Sequence, residues 1–577
     1  MADPYSGSSS IPQPTPQCTI MQIRIWRNMS TSTATADRTN QYFDVVVIGA
    51  GFSGMYALHR LRQQGRRVVC LEAGDGVGGT WYWNRYPGAR VDIESMQYSY
   101  SFDETLQQEW SWSEHFSPQP DLERYANHVA DRFDLRDDIR FETRVNELTF
   151  DDAEDVWHVG TASGRHFVAK YVIAATGSLD VSNVPDWPGL DSFHGETYHT
   201  SRWPKEGVEL AGKRVGLIGT GSTGIQLTPE VATVADHLTV FQRTPNFSLP
   251  SFNRELDPEY EREWKADYPQ RRKEVLNTHG ALLMSNVAEQ RSIFDYTEEA
   301  REEVMERAWN ARNGLEFIRT FTDTSSDPEA NAILAEFVRN KIRAVVDDPE
   351  TAELLCPKTY PIGGKRICVD SGYYQTFNRD NVKLVDVRAH PIEEVTESGI
   401  RTDDSDYELD VIIFATGFDA MTGSMLKLNA TGIDGVRLAD RWADGPKTVF
   451  GLMTADLPNL FMVHGPGSPS VLAQMITTGE WQVDWILRTI GFLEHNHISR
   501  FGATPDQEDE WATEMEAVAS RTMHVKTDSW YTGANIPGKP RALLMYVGGF
   551  TRYSNWCTRA TTQDYAGFEK KRKISLP

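Results

Sequence analysis

The sequence predicts an α/β fold in which two Rossmann-like units are joined by a mainly helical insertion. Three observations predict it. An apolar, β-branched run over residues 42–48 feeds a glycine-rich turn and then a helical pattern. The same succession returns from Lys213 onward. Two further apolar runs, over 171–177 and 411–417, both close on Ala-Thr-Gly, small residues suited to a strand end where backbone meets a ligand.

In the first unit the strand runs into Gly49-Ala-Gly51-Phe-Ser-Gly54, and Tyr56, Leu58 and Leu61 fall at helical spacing after it. Gly49 permits the tight turn, Gly51 lets backbone approach a pyrophosphate, and Gly54 lets the helix pack close to the strand. The helix N-terminus then faces the phosphates with its unpaired N–H groups. The next strand, over 67–71, ends at Glu72, placed to accept hydrogen bonds from an adenosine ribose. In the second unit the turn is Gly219-Thr220-Gly221-Ser222-Thr-Gly224, followed by a helix and a strand over 238–241. At the distance from Gly219 that separates Glu72 from Gly49 stands Gln242, with Arg243 and Thr244 directly after it. A carboxylate would repel a 2′-phosphate, whereas a guanidinium beside a hydroxyl binds one. The first site therefore reads as FAD and the second as NADPH; the plainer alternative leaves Arg243 to solvate a strand end.

With 577 residues, two to four domains are expected. The net charge of -24 speaks against general nucleic-acid binding, which needs a basic surface. No apolar run is long enough to span a bilayer. The five cysteines are scattered without a C-x-x-C pair, which excludes a disulfide framework, a paired-thiolate zinc site and a dithiol redox centre; a reducing cytoplasm is the simplest home. The expected order is a disordered extension over 1–40, then FAD-unit residues 41–180 and NADP-unit residues 181–250. A helical insertion follows over 251–350, then NADP-unit residues 351–400, FAD-unit residues 401–550 and a tail over 551–577. The second Ala-Thr-Gly, far downstream, is taken to belong to the FAD unit.

Short motifs narrow the function. Phe193-His-Gly195-Glu-Thr-Tyr-His199-Thr-Ser-Arg-Trp203-Pro204 matches F-x-G-x-x-x-H-x-x-x-W-[P/D]. Upstream, the stretch from Gly79-Thr80-Trp81 through Tyr86-Pro87-Gly88 to Asp92 matches G-x-W-x-x-x-x-[F/Y]-P-[G/M]-x-x-x-D. On these two signatures the chain resembles the type I Baeyer–Villiger monooxygenases over residues 42–549; the stretches Trp83-Asn-Arg-Tyr-Pro-Gly88, Asp370-Ser-Gly-Tyr-Tyr374 and Gly465-Pro-Gly-Ser-Pro-Ser470 bring the resemblance closest to the phenylacetone, steroid and macrocyclic-ketone branch. The resemblance implies FAD and NADPH as cofactors, and O₂ and a hydrophobic ketone as reactants. NADPH reduces the flavin, O₂ adds at C4a, and the peroxide, kept anionic, attacks the carbonyl to give an ester or lactone.

A peroxide anion needs a fixed positive charge in a water-poor pocket. The resemblance assigns that role to Arg366, in the segment 363–374, and makes Asp92 the carboxylate that holds and tunes it. It also makes Lys365 a second contact to the NADP 2′-phosphate and Trp530 a neighbour of NADP. Gly79, Thr80 and Trp81 fall to the flavin, with Trp83 packing nearby, and His199 becomes a structural residue of the interdomain linker. The residues alone leave duller readings open: Arg366 as a surface group beside a Gly-Gly turn, Asp92 as the cap of a helix over 93–97.

From Asp257 to Asp348 the pattern is charged and helical, resembling the insertion that caps the active site in this branch. The loop over 465–475, with Val471, Leu472 and Met475, resembles a substrate-lining bulge. The basic cluster over 569–573 reads as a solvated end. Two rival readings remain: a flavin-containing monooxygenase oxidising sulfides or amines, and an NADPH-dependent flavin reductase or sensor.

Overall fold

The computed structural model describes residues 41–284, 289–311 and 314–572. The extension over 1–40 and Lys573 lie outside the described residues.

Two sheets carry the molecule. At the centre of the first is β1 (Gln41–Ile48), whose Val45, Val46 and Val47 are completely buried, as a strand covered on both faces requires. It pairs in parallel with β2 (Val68–Leu71) on one side and β6 (His166–Ala174) on the other. Outward from β2 lies β3 (Ile139–Arg140); beyond β6 lie β5 (Val156–Thr161), β4 (Val145–Asp151) and β17 (Ala430–Thr431). A late strand, β18 (Leu460–Met462), pairs with the end of β6. The second sheet is wholly parallel: β12 (Val382–Asp386), β9 (His237–Gln242), β8 (Arg214–Ile218), β16 (Val411–Phe414) and β7 (Glu196–His199), in that spatial order. Beside them run a short parallel pair, β10 (Ser248–Pro250) with β11 (Cys368–Asp370), and an antiparallel trio, β13 (Ile392–Thr396), β14 (Gly399–Thr402) and β15 (Asp406–Glu408).

This topology corrects one boundary. The strand β16 precedes the second Ala-Thr-Gly and is expected from the sequence in the first unit, within 401–550, yet it lies between β8 and β7 of the second sheet. Each Ala-Thr-Gly strand therefore completes its own sheet. The first sheet still draws on two stretches of chain, because β17 and β18 return to it after β16.

The glycine-rich turns show why the two units share a pattern. Gly49 and Gly219 both have left-handed φ, 99° and 109°. A Cβ on Gly49 would stand 2.6 Å from the Ala175 carbonyl oxygen, and one on Gly219 2.6 Å from that of Ala415. The first glycine of each turn is thus pressed against the first residue of its own Ala-Thr-Gly. Behind it, a Cβ on Gly54 or Gly224 would overlap the carbonyl oxygen of Gly49 or Gly219. Only glycine allows α1 (Phe52–Gln63) and α2 (Ser222–Val234) to start so close to their strands.

The insertion is helical: α3 (Pro258–Val275), α4 (Glu298–Trp309) and α5 (Pro328–Val345). Each begins on a side-chain cap, from Asp257, Thr297 and Asp327 respectively, and α3 and α5 have proline in the first turn. Its burial is divided. Trp264 and Tyr268 of α3 join the core of the first sheet, while Met305 of α4 and Leu334 and Phe337 of α5 join that of the second. A long helix after the insertion, α6 (Met475–His495), packs against α1 on the first sheet.

Residues 551–572 are not a tail. They continue α7 (Phe550–Thr562) and form β20 (Glu569–Arg572), which pairs antiparallel with β19 (Ile498–Gly502). Phe550, Tyr553 and Cys557 recur about one helical turn apart and are buried, and Tyr565 and Phe568 follow them inward. The basic side chains of β20 remain exposed. Among the described residues, no helix is long and apolar enough to cross a membrane.

Candidate active site

A cavity of about 1150 Å³ runs along the carboxyl ends of both sheets, taking in both glycine-rich turns and both Ala-Thr-Gly segments. Crevices at such strand ends are where open α/β sheets bind ligands.

In the first unit, Gly49 and Gly51 line the cavity at the start of α1. Gly79, with φ of 57°, faces Gly51 so closely that its Cβ would lie 2.9 Å from the Gly51 Cα. Thr80 and Trp81 follow at the cavity wall, where the Trp81 indole N–H donates to the Tyr98 hydroxyl at 3.1 Å. Glu72 lines the same wall and is buried. Its two carboxylate oxygens accept the backbone N–H groups of Ala50 and Gly74, each at 2.7 Å. Burial pushes the carboxyl above its ordinary pKa, opposed by those two hydrogen bonds. The side chain is therefore oriented before any ligand arrives.

In the second unit, Gly219, Thr220, Gly221 and Ser222 line the cavity. A Cβ on Gly221 would meet nothing within 4 Å, so this turn opens onto free space. The Thr220 hydroxyl donates to the Thr244 carbonyl at 2.9 Å, tying the turn to the segment after β9. Arg243, Thr244 and Lys365 line this end of the cavity, joined by Arg388. Burial, then the nearby charges of Arg243 and Arg388, lower the Lys365 pKa, while Asp528 works against them. Its ammonium lies 4.9 Å from the Tyr360 ring centroid.

Arg366 lines the same cavity. Its Nε and Nη2 donate to the two carboxylate oxygens of Asp92 at 2.8 and 2.9 Å, a two-pronged pair, and Nη1 donates to the Val471 carbonyl at 2.8 Å. About a fifth of each partner's side-chain surface is open, 21% for Arg366 and 22% for Asp92. Burial disfavours the guanidinium's charge, and the Asp92 carboxylate more than offsets it, leaving the Arg366 pKa above its ordinary value. Asp92 caps no helix: the residues after it form bends and turns.

Trp530 lines the cavity, its ring 4.6 Å from that of Tyr531. Tyr531 is buried, and its pKa is pushed up to about 12 by burial against the pull of Arg366, so its hydroxyl stays protonated. Val471, Ala473, Met475 and Ile476 add an apolar wall, whereas Leu472 turns into packing instead. His199 does not line the cavity. Its Nδ1 accepts the Ser201 N–H at 3.1 Å and its Nε2 lies 3.5 Å from the Thr416 hydroxyl, linking β7 to the second Ala-Thr-Gly. Burial first, then Arg202, takes its pKa down to about 4, so the ring is neutral near pH 7. Arg202, in the same motif, stacks 4.4 Å from the Trp83 ring.

Sequence reasoning does not single out Tyr531, buried beside Arg366, or Arg388 at the cavity wall. Tyr531 carries a signal as the aromatic neighbour of Trp530; Arg388 has none, since its place beside Arg243 arises only when β12 joins β9.

Comparison with known proteins agrees with this geometry. The family model for pyridine nucleotide-disulphide oxidoreductases matches residues 43–267. A 2-oxo-Δ3-4,5,5-trimethylcyclopentenylacetyl-CoA monooxygenase from Pseudomonas putida is 41% identical over 537 residues, covering 91% of this chain and 98% of that protein. A Baeyer–Villiger monooxygenase from Pseudooceanicola batsensis is 41% identical over 533 residues, covering 92% and 96%. The solved structure of an oxidised steroid monooxygenase bound to NADP superposes with a TM-score of 0.88 at 46% identity, covering 92% of this chain and 100% of that one. The chain belongs to the Baeyer–Villiger monooxygenases.

It is therefore an FAD- and NADPH-dependent oxidoreductase. The residues of this Baeyer–Villiger monooxygenase fit the two cofactors: one turn backed by a pre-oriented carboxylate, the other opening onto free space beside clustered cations.

Proposed function

We propose that this monooxygenase converts bulky hydrophobic ketones (cyclic, steroidal or terpenoid) to esters or lactones, using O₂. The observation that carries this reading is Arg366, clamped by Asp92 within a cavity that has an apolar wall. FAD, when bound, supplies the oxygen-activating chemistry and NADPH the electrons for it.

The remaining work falls to the chain's own residues. Gly49, Gly51, Gly54, Glu72, Gly79, Thr80, Trp81 and Asp92 hold and orient the flavin nucleotide. Gly219, Thr220, Gly221, Ser222, Gly224, Arg243, Thr244, Lys365, Arg366 and Trp530 hold NADPH. Arg366 presents a permanent positive charge where negative charge develops on oxygen, already oriented, so no reorganisation is needed during reaction. Asp92 fixes its direction. Being always protonated, the guanidinium favours an anionic oxidant, which attacks carbonyls, over a protonated one, which attacks soft heteroatoms. The apolar wall of Val471, Ala473, Met475 and Ile476 suits a hydrophobic substrate.

Residues 41–180 and 430–572 form the FAD unit on this reading, 181–250 and 351–414 the NADP unit, and 251–350 the insertion. The pairing of β17 and β18 with the first sheet, and of β16 with the second, supports that division. Cys70, Cys356, Cys368 and Cys557 are free and buried, which supports a reducing, cytoplasmic setting.

The test is to reduce the holoenzyme with NADPH without oxygen, mix it rapidly with O₂, and follow the flavin spectrum with no ketone present. Slow return to oxidised flavin, with little hydrogen peroxide released while NADP⁺ stays bound, is expected. Immediate return with stoichiometric peroxide would refute the oxygenase reading and favour a reductase.

A further inference from the structure

We propose that Arg388 is a third arm of the anion clamp for the NADPH 2′-phosphate, acting with Arg243 and Lys365 to select NADPH over NADH. This rests on reading the second unit as the NADPH site.

Topology brings Arg388 there. The edge strand β12 lies parallel to β9, with Asp386 opposite Gln242. Directly after that pair, the Val387 N–H donates to the Gln242 carbonyl at 2.9 Å. The turn that follows is locked: Asp386 Oδ1 accepts the Arg388 N–H at 2.9 Å, and the His390 N–H closes back onto the Asp386 carbonyl at 3.0 Å. Arg388 therefore leaves its strand end one step beyond the point where Arg243 leaves the neighbouring one. Both line the cavity, as does Lys365.

The charge arrangement is that of a site built for an anion. No carboxylate of the described residues lies within ion-pair distance of Arg243, Lys365 or Arg388, in a chain whose net charge is -24. The carboxylate that acts on Lys365, Asp528, is already engaged by Arg541. Burial first, and then the two arginines, depress the Lys365 pKa, so both guanidinium groups stand close enough to the ammonium to repel it. Crowding like charges is unfavourable until an anion fills the space between them. The 5′ phosphates are not that anion, because the turn from Gly219 to Gly224 meets them at the start of α2. The ribose end at β9 is left, and there the 2′-phosphate is the group that separates NADPH from NADH. Gln242, in the place of the ribose-binding carboxylate, adds no repulsion.

The experiment is calorimetric titration of the FAD-loaded enzyme with 2′,5′-ADP and, separately, 5′-AMP. Arg388 is exposed and outside the buried cores, and each variant is checked for its flavin spectrum and melting temperature. Arg388→Ala is expected to weaken 2′,5′-ADP about tenfold, the loss of one charged hydrogen-bond arm, and 5′-AMP less than about twofold. Arg388→Lys is expected to recover part of that loss, and the salt dependence of 2′,5′-ADP binding is expected to become shallower in the alanine variant. If the parent prefers 2′,5′-ADP and Arg388→Ala binds it within about twofold of the parent, the proposal is wrong while the NADPH reading stands. If the parent itself binds the two probes equally, the NADPH reading fails and the proposal with it.

Discussion

The two nucleotide units begin alike and end differently. Each opens with a left-handed glycine pressed on an Ala-Thr-Gly strand and a third glycine buried under its helix. At the end of the next strand, one places the buried carboxylate Glu72 and the other a row of cations beginning with Arg243. The shared part is steric and shapes the turn; the divergent part is electrostatic, and on the reading proposed above it decides which nucleotide each unit takes. Arg366 and Asp92, far apart in the chain, pair at the wall of the shared cavity, so the charge proposed to act there depends on both stretches being in place.

The largest expected effect tests the steric half. Gly54→Val places atoms on top of the Gly49 carbonyl and is expected to cost about 3 kcal/mol or more and to yield protein without flavin. Gly221→Ala, where a Cβ meets open space, is expected to keep the flavin and the melting temperature and to lose NADPH affinity only. Absorbance at the flavin band and thermal melts check both. Equal loss of flavin in the two variants would break the comparison.

Next comes the electrostatic half. Arg243→Ala is expected to raise KM for NADPH about tenfold and leave that for NADH within about twofold, as steady-state kinetics with each coenzyme would show. A parallel rise for both would mean that Arg243 supports the strand end and does not read the phosphate.

Much of this is legible in the sequence because it is local. A strand, a glycine turn and a helix are contiguous, and the clash that demands glycine at Gly54 and Gly224 lies within a few residues of chain, so these turns can be read directly. The pairing of Arg366 with Asp92 comes through family motifs; nothing in the spacing of the two residues reveals a contact between them. What escapes is non-local. A buried parallel strand reads as an apolar run whichever sheet it joins, so the sequence does not assign β16 to its sheet. Arg388 reaches Arg243's side only through β12. The end of the chain reads as a tail because its lysines are conspicuous, while Phe550, Tyr553 and Cys557, the residues that bury α7, are thinly spaced.

The smallest effect distinguishes the units by pH. Glu480, on α6, is buried beside α1, and burial raises its pKa to about 7, opposed by hydrogen bonds from the Ser101 hydroxyl and N–H. A carboxyl whose folded pKa is raised stabilises the fold below its unfolded value of 4.5 and loses that contribution as pH rises through about 7. Between about pH 5 and pH 8 the melting temperature of the parent is expected to fall relative to Glu480→Gln, with the flavin-bearing unit affected first. Parallel curves for the two proteins would remove Glu480 from the account.

The most direct test of the central claim is Arg366→Ala in the holoenzyme, with ester or lactone product and hydrogen peroxide measured together against NADPH consumed. Ketone conversion is expected to fall by about 10²- to 10³-fold, as for loss of a pre-oriented charge-stabilising donor, while any NADPH still oxidised yields peroxide. Product formed at the parent's rate and yield would contradict the role given to Arg366 and, with it, the reading of the cavity built around that residue.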